Sequence, residues 1–251
     1  MDVKSVRRQI VEWLKEKVAQ AGAHGIVVGL SGGIDSAVVA GLAKDAFPAD
    51  CVAVWMPCHS LARDAEDAAK VARAFELPLI TVDLTETWDR LTATLRQAIW
   101  QGEPPVDSGD FRMAEANVKP RLRMITLHYI ARARGYLVAG TGNRAELTVG
   151  YFTKFGDAGV DLLPIGGLVK SEVRALAWEL GVPVEVIEKA PSAGLWEGQT
   201  DEGEMGFTYD ELDRYILTGE AAPQTKERIE RMIRQSEHKR RMPPIAEIVR
   251  S

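Results

Sequence analysis

Gly29-Leu30-Ser31-Gly32-Gly33-Ile34-Asp35-Ser36 follows a β-branched apolar run, Ile26-Val27-Val28, and precedes apolar residues at helical spacing, Ala37, Val38, Val39, Leu42 and Ala43. The order is strand, glycine turn, helix start, which makes a cradle for phosphate. Gly32 and Gly33 permit backbone conformations that a side chain forbids, so successive N–H groups can converge on one concavity at the helix N-terminus. The hydroxyls of Ser31 and Ser36 add donors, and Asp35 can hold a Mg²⁺ that bridges phosphate oxygens. The spacing is not that of a Walker loop, which needs G-x-x-x-x-G-K-[ST] and its lysine. An ordinary turn would account for Gly32-Gly33 alone, but not for two serines, an aspartate and both flanks together.

Outward from this loop, helix-period stretches alternate with short β-branched runs. The pattern predicts helix over about 3–20, strand 26–30, helix 36–46, strand 51–56, helix 63–75, strand 78–82 and helix 84–100. Such alternation belongs to an α/β fold, an open parallel sheet with helices on both faces. A turn-rich stretch, Gly102 to Gly109, leads into a helical region to about 134. A strand, Tyr136 to Ala139, then ends in Gly140-Thr141-Gly142-Asn143. In open parallel sheets, ligands gather outside the carboxyl ends of strands where strand order reverses, so both glycine loops can face one nucleotide. Residues 150–167 read as loop. A helix over about 170–180 is stopped by Gly181-Val182-Pro183. Residues 194–206, rich in glycine and acid, read as a mobile loop. Two short helices near 208–217 and 223–236 and a basic tail complete what is expected to be a single domain over 1–251.

The 251 residues are 46% hydrophobic and 27% charged, enough to bury a sizeable core. A net charge of −5 argues against general nucleic-acid affinity, so an anionic substrate must be held by local lysines and arginines. Cys51 and Cys58, spaced C-x₆-C, indicate neither a zinc ribbon nor a disulfide scaffold. No apolar run approaches a membrane span, and the N-terminal pattern Val6, Ile10, Val11, Leu14, Val18 is amphipathic rather than a signal peptide. A soluble cytoplasmic protein is expected.

Several charged residues stand where a helix does not favour them. Arg121 and Arg123 lie near a helix start set by Pro120, against the macrodipole, and i,i+2 neighbours do not share a face. The two therefore need separate partners, which anionic ligands or merely solvent could supply. Lys170 also opens a helix. Glu146, just beyond the second glycine loop, can share a cation with Asp35 if the loops converge, since Mg²⁺ is satisfied by one or two carboxylates plus substrate phosphates. In Gly150-Tyr151-Phe152-Thr153-Lys154-Phe155-Gly156-Asp157-Ala158-Gly159-Val160-Asp161, aromatics are interleaved with Lys and Asp, which suits a flat charged ring or an ordinary core edge. Ser192 offers a hydroxyl that could equally cap a turn.

The first loop resembles the S-G-G-x-D-S loop of ATP pyrophosphatases, which split ATP between its α and β phosphates. Further along, Asn117 through Met124, Gly140 through Glu146, Gly150 through Asp157, Lys189-Ala-Pro-Ser192 and Glu237-His-Lys-Arg240 are similar, in order, to the successive signatures of the NAD synthetase family. That family adenylates the carboxylate of deamido-NAD with ATP, releases pyrophosphate, and lets ammonia displace AMP. The resemblance implies that residues 29–36, Thr141, Lys170 and Ser192 hold ATP, with Mg²⁺ on Asp35 and Glu146 and with Asp35 and Lys170 as catalytic groups. It implies that Arg121, Lys154, Asp161, His238 and Lys239 contact deamido-NAD, and it leaves open a second Mg²⁺ at Asp157. Ser192 stands where threonine is common, and Trp55 where many relatives carry a basic residue. A reactive acyl-adenylate must be kept from water, and 194–206 is the candidate lid. The resemblance further implies a homodimer, with the first helix and the 84–134 region as interface candidates. It also implies use of free ammonia, since no additional amidase pattern stands in these residues. A tRNA-thiolating relative would need a reactive cysteine pair and a basic face. A non-catalytic nucleotide sensor would not need Glu146, Lys154, Asp161 and Lys170.

Overall fold

Alternation along one strand decides which side of the sheet each helix takes. In β1 (Gly25–Gly29), Ile26 and Val28 face one side and Val27 the other, as the two-residue period of a strand requires. The computed structural model describes residues 1–102, 111–191 and 200–249. β1 pairs in parallel with β2 (Cys51–Trp55) on one side and β4 (Tyr136–Ala139) on the other, Ile26 lying opposite both Cys51 and Leu137. β3 (Leu79–Thr81) pairs with β2, giving the order β3-β2-β1-β4.

Ile26, Val28, Cys51, Ala53 and Ala139 are covered by α1 (Val3–Gln20), α2 (Ile34–Ala46), α3 (Ala62–Ala74) and α8 (Lys170–Leu180). Much of the apolar stripe of α1 is covered within the chain: Val11, Leu14 and Val18 are buried under α2 and α8. The opposite face, with Val27, Val52, Val54 and Val138, is covered by α4 (Thr85–Gly102) and α6 (Val118–Arg134). The chain runs outward from β1 through β2 to β3 and returns to place β4 on the far side of β1. The reversal of strand order therefore lies between β1 and β4, whose carboxyl ends carry the two glycine loops.

A smaller apolar cluster joins α7 (Arg144–Val149), α10 (Asp201–Met205), α11 (Tyr209–Thr218) and α12 (Pro223–Gln235) through Ala145, Val149, Met205, Leu212 and Ile229. Gly150 ends α7 at φ +71°, and an added Cβ would come within 2.1 Å of Ser236 Cβ, so the C-terminal helices close directly on this turn.

The expected elements are present with shifted boundaries. The helical region to 134 breaks at Asn117 into α5 (Phe111–Ala116) and α6, with Pro120 in the first turn of α6. The six-residue α7, the four-residue α9 (Val184–Ile187) and α13 (Glu237–Arg240) were not expected. Residues 201–205, read as mobile loop, are helical: Thr200 caps α10 through the Gly203 N–H, and Met205 is fully buried. Ser192, residues 194–199 of the candidate lid and residues 103–109 lie outside the described residues.

Candidate active site

Between β1 and α2 the chain is wired to itself. Gly32 sits at φ +79°, and a Cβ there would lie 2.6 Å from the Asp64 carbonyl, so the loop passes against the start of α3 where no side chain fits. The Ser36 hydroxyl, 3% exposed, donates to the Gly33 carbonyl (2.9 Å) and accepts from the Ser31 N–H (3.2 Å). Ser36 therefore holds the turn closed, whereas Ser31 is exposed at its rim. Leu30 and Ile34 are buried, so they offer a ligand only backbone. The first N–H groups of α2 have no acceptor within the helix and point out of its end. Lys189 Nζ braces the loop from behind, bonding Asp64 Oδ1 and Asp67 Oδ2 at 2.8 Å each and the Gly32 carbonyl at 3.4 Å.

Asp35, in the first turn of α2, joins both glycine loops and α8. Its Oδ1 accepts from Asn143 Nδ2 (3.0 Å) and its Oδ2 from Lys170 Nζ (2.5 Å). Asn143 is wholly buried and also caps α7: its Oδ1 accepts the Glu146 N–H, while Glu146 Oε2 accepts the Asn143 N–H. This reciprocal box fixes Glu146 beside Asp35. Burial first, and the neighbouring Asp35 charge second, push the Glu146 carboxyl up to about 8, although Lys170 pulls the other way. For Lys170 burial acts to lower the pKa, but Asp35 and Glu146 outweigh it and the ammonium is held above its ordinary value.

A lysine opening a helix is seated here by a borrowed carboxylate. Asp213, on α11 and 4% exposed, accepts the Lys170 N–H at 3.1 Å and the Ser171 N–H at 2.7 Å, supplying the negative charge that the N-terminus of α8 favours. Lys170 Nζ also lies 4.7 Å from the centre of the Tyr209 ring, whose hydroxyl donates to Asp201 on α10. Asp35, Glu146 and Lys170 thus form one cluster, with Thr141 half-buried on the β4 loop.

The remaining candidates assemble around the loop after α7. Arg121 is exposed and donates to the Lys154 carbonyl (3.3 Å), while the Lys154 ammonium donates to the His238 carbonyl. Lys239 Nζ is spent on the Gly150 and Phe152 carbonyls, 2.9 Å each, which fastens α13 to this loop. His238 is exposed beside it. Asp161 Oδ2 accepts the Val138 N–H at 2.8 Å, fixing the edge of β4, and Asp157 accepts the Thr153 N–H. Among the described residues no group of three or more His, Cys, Asp or Glu is arranged to hold a metal, so Asp157 has no such company. Trp55 is buried in the sheet core, and both cysteines are buried free thiols.

Sequence reasoning missed Asn143, Asp213 and Lys189. Asn143 had a legible signal, since N-x-x-E before a helix is a capping box. The other two act on partners 42 or more residues away and leave no local trace.

The fold and the paired loops are those of a nucleotide-binding α/β enzyme, with the candidate ligand crevice at the β1/β4 reversal. The family model described as NAD synthase matches residues 6–243, and the chain belongs to that family. It is 54% identical over 237 residues to the NH(3)-dependent NAD(+) synthetase of Carboxydothermus hydrogenoformans, covering 94% of this chain and 95% of that one. Among solved structures it is similar to NMN synthetase from Francisella tularensis, with 34% identity, TM-score 0.91, and 99% and 100% of the two chains covered. The NH3-dependent NAD synthetase of Campylobacter jejuni matches at 29% identity and TM-score 0.78, over 98% and 100%.

Proposed function

We infer that this chain amidates deamido-NAD to NAD with ATP and ammonia. The observation that carries the reading is Asp35, bonded at once to Asn143 of the second glycine loop and to Lys170 of α8, in a chain matched over nearly its full length by ammonia-dependent NAD synthetases. A carboxylate oxygen of deamido-NAD attacks the α-phosphorus of ATP, and the bond to the β-phosphate oxygen breaks with pyrophosphate taking the electron pair. Ammonia then attacks the acyl carbon, AMP leaves with the C–O electrons, and the nitrogen loses one proton to solvent. The protein has little covalent work to do; it positions the reactants and offsets charge.

The loop amides of 31–36 and the Lys170 ammonium are suited to the ATP phosphates, with Thr141 and Ser192 as hydroxyl donors. The two carboxylates Asp35 and Glu146 fit Mg²⁺: they are hard oxygen donors, and burial together with the Asp35 charge raises the cost of ionising Glu146, which a cation would lower. Held by Asp35 and Glu146, a Mg²⁺ would supply positive charge to offset that of departing pyrophosphate. Arg121, Lys154, Asp161, His238 and Lys239 are assigned to deamido-NAD. Lys239 and Asp161 serve it by holding the loop backbone, given the bonds they already make. Residues 194–206 are assigned as the cover over the adenylate, anchored at one end by α10.

We further assign residues 1–251 to one synthetase domain, because α11 packs on α8 and α12 on α7, the helices that carry Lys170 and Glu146. The chain is proposed to act as a homodimer through an exposed apolar strip, Leu91, Leu95 and Ile99 on α4 with Ile125 and Tyr129 on α6. A cytoplasmic location is proposed from the two free thiols; among the described residues, no helix is long and apolar enough to cross a membrane.

One observation favours a second reading. The likeness to the Francisella NMN synthetase, TM-score 0.91, exceeds that to the Campylobacter enzyme, so the mononucleotide acid is the alternative substrate. Comparing kcat/KM for the two acids decides it: preference for deamido-NAD supports the main reading, preference for the mononucleotide the second.

A further inference from the structure

Two arginines near the start of α6 diverge. Arg121 turns toward the Lys154 carbonyl, whereas Arg123, two residues on and therefore on another face, donates its Nε to the Met56 carbonyl at 3.1 Å. Met56 directly follows β2, and its Cε lies 3.2 Å from where a Gly29 side chain would begin, so Arg123 stands beside the root of the phosphate loop. The residue is half-buried, and its recess pushes the guanidinium's pKa down. Cys58, Asp157 and Asp64, in that order, act on it electrostatically without bonding it, and it makes no ion pair among the described residues. An arginine cannot shed its proton, so a recessed guanidinium with no ion pair and a carbonyl as its hydrogen-bond partner retains a charge that an anion would stabilise. The Nε bond to a fixed carbonyl orients the planar fork, leaving N–H donors of the geometry that phosphate takes. Trp55, at the end of the same strand, is packed into the core and brings no charge to this edge.

We propose that Arg123 is a phosphate-binding residue on the ATP side of the cleft, separate in ligand from Arg121. The assignment rests on the ATP-dependent reading above. It places a cation on the β2 side of the loop, across from Lys170, which reaches the loop from α8.

Titration calorimetry of MgATP and, separately, of deamido-NAD into the wild-type chain, R123Q and R123K tests it. R123Q is expected to weaken ATP roughly 10- to 100-fold, as loss of a charged hydrogen bond does. Deamido-NAD affinity should stay within about 2-fold, and R123K, which keeps the charge but not the fork, should fall between. Unchanged ATP affinity in R123Q, or equal losses for both ligands, overturns the assignment. Should R123Q fail to fold, R123K decides by the same ATP-selective criterion. A wild-type chain that binds no ATP overturns the ATP-dependent reading itself, whereas ATP binding by the wild type with an indifferent R123Q overturns only this inference.

Discussion

Asp35 and Glu146 share the charge of one buried lysine, and that sharing sets what each substitution should do. With Asp35→Asn the Lys170 ammonium loses its closest partner but keeps Glu146 nearby, so activity should fall about 100-fold or more while folding survives. Asp35→Asn with Glu146→Gln strands the ammonium, at a cost of about 3–5 kcal/mol, and its melting temperature should drop by more than the two single losses combined. Near wild-type turnover in either single variant at ordinary Mg²⁺ would contradict the metal assignment. The Glu146 carboxyl titrates near 8 in the folded chain, far above the unfolded value of 4.5, so the folded state holds a proton that the unfolded chain releases. That contribution is complete below the unfolded value and is lost as pH rises through about 8. In Mg²⁺-free buffer, melting temperature should therefore decline from pH 5 to pH 8, and Glu146→Gln should flatten the decline. Added Mg²⁺ should stabilise the wild type more at pH 8 than at pH 6, because only the ionised carboxylate binds it. An equal response at both pH values would contradict this.

At the scale of elements, α8 depends on α11. Asp213→Ala would leave the Lys170 and Ser171 N–H groups without their acceptor in a buried setting, costing about 2–4 kcal/mol, and should raise the KM for ATP because Lys170 loses its seat. A melting curve and a KM measurement check the two parts separately; an unchanged KM would mean that the cap serves stability alone. The strands and long helices were legible because β-branched runs and 3.6-residue spacing are local signals, and the glycine loop because backbone freedom is written in residue type. α10 was not legible: its glycine and acids read as loop, and burial of Met205 against α7 and α11 overrides that composition. Among site residues, Asp35, Glu146 and Lys170 could be picked out from spacing and unfavourable helix positions. Asn143 as their bridge could not, since its partner Asp35 is 108 residues away. The stripe of α1 shows the converse limit. Amphipathicity reveals that a face is covered but not by what, and Leu14, here wholly buried, should cost about 2–5 kcal/mol when cut to alanine, whatever the oligomeric state.

For the whole molecule, the strip formed by Leu91, Leu95, Ile99, Ile125 and Tyr129 should be covered by a second copy. Light scattering should give twice the chain mass, and Leu95→Lys should shift the population to monomer; a wild-type monomer with full activity would contradict the dimer. The nucleophile is NH₃ rather than NH₄⁺, so at fixed total ammonium turnover should rise with pH until the protein's own groups fail, and ammonia-free glutamine should not substitute. The proposed reaction is an adenylating amidation in which the Asp35 cluster activates ATP between its α and β phosphates. The direct measurement is product stoichiometry with the purified chain, ATP, Mg²⁺, deamido-NAD and ammonium chloride. One AMP and one pyrophosphate per NAD, with no nucleotide turnover when deamido-NAD is omitted, is the predicted result; ADP and inorganic phosphate, or ATP cleavage indifferent to deamido-NAD, would contradict it.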